Sequence, residues 1–209
     1  MKKKILLVGL LVVLVAAVSV GLTVAFLTSQ DQVTNTFTVG DVKITLDEAA
    51  VNENGEAIEG ADRVKANTYK LIPGHTYVKD PTVTVKAGSA ESYVRMLVTV
   101  TESSAFDAVL PNQDLRVIFG GYDASKWEYI KNTENTTDNT RTYEFRYYQK
   151  VTASADTALE PLFTGITVPG NVNNAQLKTL EGAQIIVEAE AIQADSFAGA
   201  DAAWAAFTR

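Results

Sequence analysis

From about position 36 onward the chain runs in short alternations of apolar and polar residues, broken by turn chemistry. That rhythm belongs to antiparallel strands with one buried face, and its repetition predicts an all-β, jelly-roll-like antiparallel β-sandwich. Segment 36–46 (TFTVGDVKITL) sets Phe37 and Val39 on one parity, then Val42, Ile44 and Leu46 on the other. The change falls at Gly40-Asp41, so either a bulge re-aims one strand there or two separate strands meet. Segment 52–62 (NENGEAIEGAD) is polar and turn-rich, with Asn54-Gly55 as its strongest turn signal. Segment 69–79 reads as a strand, a tight turn at Pro73-Gly74 and another strand, and 82–86 (TVTVK) alternates cleanly. Segment 93–100 (YVRMLVTV) places Val94, Met96, Val98 and Val100 on one face, while Tyr93 and Leu97 make the other partly apolar. Two partly apolar faces predict a central strand.

Segments 115–119 and 126–130 form an expected pair through Gly120-Gly121, followed by a polar loop tip at 131–140 (KNTENTTDNT). In 141–150 (RTYEFRYYQK), Tyr143, Phe145 and Tyr147 alternate with Thr142, Glu144 and Arg146. A strand at 162–168 is ended by Pro169-Gly170, and 184–193 (QIIVEAEAIQ) is the last long alternation. There Ile185, Val187, Ala189 and Ala191 oppose Ile186, Glu188, Glu190 and Ile192. The tail differs: 198–207 is Ala-rich, with Trp204 and Phe207 three apart, and predicts a short C-terminal helix docking an aromatic stripe. Asp195-Ser196 or Gly199 would cap it. Without a repeat or a Pro-rich linker, 26–209 reads as one domain.

The N-terminus carries an address. Lys2, Lys3 and Lys4 precede an uncharged, Leu-, Val- and Ala-rich stretch at 5–27. This is an export signal helix, or a helix long enough to span a bilayer with its lysines inside. Thr23-Val24-Ala25 offers small residues for a peptidase cutting between Ala25 and Phe26, and no basic stop-transfer cluster follows. The expectation is removal of 1–25, the alternative being retention as a single-span anchor. Both put the remaining chain outside the cytoplasm, with membrane contact only through the uncleaved segment.

Composition narrows the chemistry. At 209 residues and 46% apolar, the chain can bury roughly 70% of its unfolded surface. With no Cys and one His, it lacks thiol nucleophiles, disulfides and multi-histidine metal motifs. A net charge of −7 argues against nucleic acid as a partner. His75 sits in a Pro-Gly-His-Thr turn, Gly120-Gly121 lacks a phosphate-loop context, and no GxSxG surrounds a serine. Glu188 and Glu190 share a strand face as a glycosidase pair would, yet read as structural. Asn135, Asp138 and Asn139 could offer oxygens to Ca²⁺ but read as a loop, and Asn135-Thr136-Thr137 matches a glycosylation sequon. Trp127, Tyr129, Tyr143, Phe145, Tyr147 and Tyr148 could stack sugars, though most should be core. No catalytic, cofactor or metal site is expected.

Several stretches together resemble the TasA/camelysin family of exported Gram-positive proteins. They are the Lys-rich start and apolar signal, Thr23-Val24-Ala25-Phe26-Leu27-Thr28, and Asn35-Thr36-Phe37-Thr38-Val39-Gly40. Further on come Tyr69-Lys70-Leu71-Ile72-Pro73-Gly74, Asp80-Pro81-Thr82-Val83-Thr84-Val85 and Ala191-Ile192-Gln193-Ala194. The likeness is strongest at the signal boundary and the Asn35-Thr36-Phe37-Thr38-Val39-Gly40 element, and weaker between Glu102 and Asn174.

The resemblance implies processing by a SipW-type signal peptidase and secretion of a jelly-roll domain to the cell surface or biofilm matrix. There relatives polymerise head to tail, with themselves or with related matrix subunits. In that scheme the mature N-terminal segment 26–39 leaves its own domain and completes a sheet in the next. Phe26, Leu27, Val33, Phe37 and Val39 would be its pocket-filling residues. The rival reading is a monomeric surface adhesin or carbohydrate-binding module using exposed aromatics or the 131–140 tip. A remote third is a secreted metalloprotease of camelysin type, for which this chain offers no zinc motif.

Overall fold

The computed structural model describes residues 41–208. The expected signal segment, the Ala25–Phe26 cut, the donor residues Phe26, Leu27, Val33, Phe37 and Val39, and Gly40 of the expected bulge lie outside the described residues. In chain order the first strands are β1 (Ile44–Asp47), β2 (Thr76–Val78), β3 (Thr82–Val85) and β4 (Ser92–Thr101). Helix α1 (Ser103–Val109) and two 3-10 turns lead to β5 (Phe119–Gly120), β6 (Trp127–Asn135) and β7 (Thr140–Tyr147). Then come β8 (Thr157–Ala158), β9 (Gly165–Thr167), α2 (Asn174–Thr179), β10 (Ile185–Gln193) and α3 (Ala200–Ala206). The strands form three antiparallel sheets, ordered β10-β4-β7-β6, β1-β3-β8 and β2-β9-β5. Few and short helices beside them make the protein all-β, consistent with a sandwich. Among the described residues no helix is long and apolar enough to cross a membrane.

The four-stranded sheet follows from the long alternations. In β4, Val94, Met96 and Val98 are fully buried, and they pair with Ala191, Ala189 and Val187 of β10. Across the other edge, Met96 faces Phe145 and Val98 faces Tyr143. Strand β4 is therefore central, as its two partly apolar faces require. Under this sheet Trp127 is fully buried, meets Tyr147 edge-on at 5.0 Å, and donates its indole N–H to Glu160 O at 2.9 Å.

The outer face of the same sheet is charged but not simply solvated. Arg95 bonds Glu190 at 2.6 Å, Arg146 bonds Glu144 at 2.8 Å, and Arg146 reaches Asp201 of α3 at 2.5 Å. Glu144 is consequently buried. Helix α3 lays Trp204 over the Arg95 guanidinium, 4.3 Å from the ring centre, in a small satellite core with Tyr93, Ala194 and Ala203. Its docking matches the aromatic spacing in the tail. Gly199 stands at its N-cap but offers no side chain to cap it.

Several expectations are corrected. The pair expected from 115–119 and 126–130 does not exist, because Leu115–Ile118 is a 3-10 turn. Asp114 caps that turn by accepting from Arg116 N–H, and Leu115 and Ile118 bury at helical spacing. Phe119–Gly120 pairs with β9 instead. The polar tip shrinks to 136–139, since the β6–β7 ladder continues through Thr133↔Thr142 to Asn135↔Thr140. Main-chain pairing extends there although neither side chain is apolar.

Segment 69–72 is not a strand: the Tyr77 hydroxyl accepts from Ile72 N–H at 2.8 Å and donates to Lys70 O at 2.5 Å, satisfying that backbone in place of a partner strand. Of 36–46, only Ile44 to Leu46 lies in a described strand, and 162–168 shortens to β9. The described bulge lies in β6, where the register slips between Tyr129 and Lys131.

Candidate functional site

Strands β1 and β10 are both outermost in their sheets; the outer edge of β1 is in part engaged, by the Val64 backbone at Glu48 and by Lys65 at the Leu46 carbonyl. The two strands approach each other closely along part of their length, and residues of both line a cleft of about 1310 Å³. All four residues of β1 line it, and so do the consecutive residues Gly182 to Val187 leading into β10. Consecutive residues point to opposite faces of a strand, so a wall built from both parities presents the strand edge itself. The floor is apolar, with Phe106 and Val109 of α1, Ile166 of β9 and Leu177 of α2. Ile44, Leu46, Ile185 and Val187 pack against the main core yet remain only half-buried. Helix α2 holds its side of the cleft through a capping box, in which Asn173 and Gln176 each bond the other's backbone N–H at 3.0 Å.

The opposite rim is polar. Glu48, just after β1, and Lys79, just after β2, are 6% and 7% exposed and form an ion pair at 2.6 Å. The second Glu48 oxygen accepts from Asn67 Nδ2 at 2.9 Å. Asn67 Nδ2 also donates to Ala49 O at 2.8 Å, while Val51 N–H donates to Asn67 Oδ1 at 3.1 Å. Two elements hold this rim in register. Glu48 and Val64 exchange backbone hydrogen bonds at 2.9 and 2.8 Å, and Asp80 Oδ1 accepts from Ala49 N–H at 2.6 Å. Tyr69 closes the cluster: burial, with help from the nearby Glu48 charge, raises its hydroxyl well above the ordinary tyrosine range. Arg63 ties Asp47 to Asp80 on the outside, and the Lys65 ammonium caps the Leu46 carbonyl.

The candidates read from sequence fall elsewhere. His75 stays in its turn, its Nε2 2.7 Å from Asn54 O and its ring against Tyr77. Glu190 is engaged by Arg95, whereas Glu188 is exposed on the outer face opposite Leu97. The tip residues are engaged locally and by the N-cap of α1: Asn135 Nδ2 donates to Asp138 at 2.7 Å, and Asn139 donates to Glu102 at 2.8 Å. Among the described residues no cluster of three or more potential metal ligands occurs. Of the aromatics considered for stacking, Trp127, Tyr143 and Phe145 are core and Tyr129 and Tyr147 half-buried, leaving Tyr148 as the exposed one. Gly120-Gly121 serves the β5–β9 contact and does not join two hairpin strands.

Sequence reasoning missed both the cleft and the Glu48–Lys79–Asn67 cluster. Glu48 lies 31 residues from Lys79 and 19 from Asn67, in segments of no common period, so spacing carries no signal for it. No family model, curated protein or solved structure matches this chain.

Proposed function

We propose that this is an exported structural protein of the extracellular or biofilm matrix that assembles into fibres by strand donation. On this reading a SipW-type peptidase removes 1–25. The new N-terminus, 26–39, then enters the β1–β10 cleft of the next subunit in a jelly-roll-like sandwich. The observation that supports it is the cleft, whose wall includes the outermost strands β1 and β10 and whose floor is apolar. An incoming strand would gain main-chain hydrogen bonds from an edge and bury alternate side chains on the floor, as β-augmentation requires. Fully extended, 26–39 reaches roughly 46 Å, ample for the length of the cleft edges. Phe26, Leu27, Val33, Phe37 and Val39 supply apolar groups for half-buried Ile44, Leu46, Ile185 and Val187. A head-to-tail contact of this kind does not close, so it propagates.

The test uses the mature secreted protein. Deleting 26–36 should leave a folded monomer whose elution volume does not change with concentration, while the intact form grows into filaments. Filaments of the truncated protein under negative stain would remove the proposal. A synthetic 26–39 peptide added in excess should cap growth of the intact protein.

A further inference from the structure

The rim cluster holds the parts of an amide-forming reaction, and we propose that Lys79 and Asn67 join spontaneously into an intramolecular isopeptide bond, with Glu48 as the proton carrier. The geometry assigns each role. Lys79 Nζ and Asn67 Nδ2 sit on the two oxygens of one carboxylate, at 2.6 and 2.9 Å, so nucleophile and leaving group share one acid–base group. The Val51 N–H already donates to Asn67 Oδ1, where negative charge develops during attack on the amide carbon. Lys79 and Glu48 are buried, which keeps water from competing with the amine. The cluster is preorganised by the Glu48–Val64 backbone pair and the Ala49–Asp80 bond, neither of which has to move.

The step balances without oxidant or cofactor. Glu48 takes one proton from the Lys79 ammonium, leaving a neutral amine. Its lone pair attacks Asn67 Cγ, forming a C–N bond and placing charge on Oδ1. A second proton passes from Nζ to Nδ2, the Cγ–Nδ2 bond breaks, and ammonia departs. It leaves as ammonium with the proton Glu48 first accepted, so the carboxylate is restored. One primary amide becomes one secondary amide.

The product would staple the long turn-rich segment between β1 and β2 to the residue that follows β2. It does not depend on fibre formation, since all three residues belong to one chain.

Mass spectrometry of the wild-type secreted protein decides the matter. The expected mass is below the sequence mass by one ammonia. Tryptic digestion should then yield peptide 66–70 joined to 71–86, with Lys79 resistant to cleavage. Lys79→Met, Asn67→Ala and Glu48→Gln should each restore the full sequence mass and release the linear peptides. A wild-type mass equal to the sequence mass overturns the proposal. So does an ammonia deficit that persists in Lys79→Met, which would mark a succinimide such as one at Asn54-Gly55. Retention of the bond in Glu48→Gln would overturn the role given to Glu48. Because the readout is mass, filament loss leaves this result untouched, and a missing bond leaves the filament test untouched.

Discussion

Arg141 is nearly buried on the core side of β7, opposite Val100, where a charge is tolerable only if fully answered. Asp107 answers it with two hydrogen bonds, 2.5 and 2.7 Å, and Gln113 O adds a third at 3.1 Å. The Asp107 contact holds the guanidinium above its ordinary value despite burial. Replacing Arg141 by Met strands Asp107 and should lower stability by about 3 kcal/mol, read as a shift in denaturant midpoint at constant slope. Glu160 offers a pH test. Hydrogen bonds from Tyr147 and Lys126 lower its carboxyl from 4.5 to about 2, while burial and then Glu160 push the Tyr147 hydroxyl up to about 12. A depressed carboxylate stabilises the fold above its unfolded value and loses that effect as pH falls through its folded one. Wild type should therefore melt above Glu160→Gln at pH 6, with the gap closing between about pH 4.5 and about pH 2. An unchanged gap across that range would refute the assignment.

At the scale of elements, Gly55 shows how one turn fixes its neighbours. Its φ is +76°, and a Cβ there would sit 2.2 Å from Tyr77 Cδ1. Gly55→Ala should cost more than about 1 kcal/mol, measured by equilibrium unfolding, because backbone strain and a clash with the buried ring add. Helix α3 behaves differently, since its contacts form a satellite core. Trp204→Ala should cost about 3 kcal/mol and remove amide-exchange protection from α3 while β4 and β7 stay protected.

The same contrast explains what was legible beforehand. Strands β4, β7 and β10 are long alternations, and the Trp204–Phe207 stripe announces α3. Helices α1 and α2 are as short as α3 but carry neither its Ala-rich run nor a paired aromatic stripe, so no pattern marks them. The 3-10 turn at Leu115–Ile118 imitates a strand in composition, and only its Asp114 cap and non-local burial separate the two. The cleft was hidden for a related reason. It arises where β1 and β10, far apart in sequence, both end their sheets, and no local pattern encodes an unpaired edge.

For the whole molecule the decisive question is whether those edges take a strand. A charge placed on the wall tests this without touching the donor segment. Ile186→Lys alters a cleft-lining residue that is already exposed and so spares the core, yet puts an ammonium where, on the proposed reading, an apolar side chain would settle. We expect a folded, monomeric mature protein with few or no filaments, checked by circular dichroism beside electron microscopy. Normal fibres from this variant would place the contact elsewhere.

The positions of the tryptophans have a practical corollary. There are two, and neither lines the cleft: Trp127 is enclosed in the main core and Trp204 is the buried aromatic of α3. Ultraviolet emission from a Trp127→Phe protein would report the tail helix alone, and from a Trp204→Phe protein the interior alone. Occupation of the groove should pass almost unseen in either signal. A dye attached at its lip would brighten or dim if a strand entered, and the two indoles would serve as internal witnesses that the sheets had not loosened meanwhile.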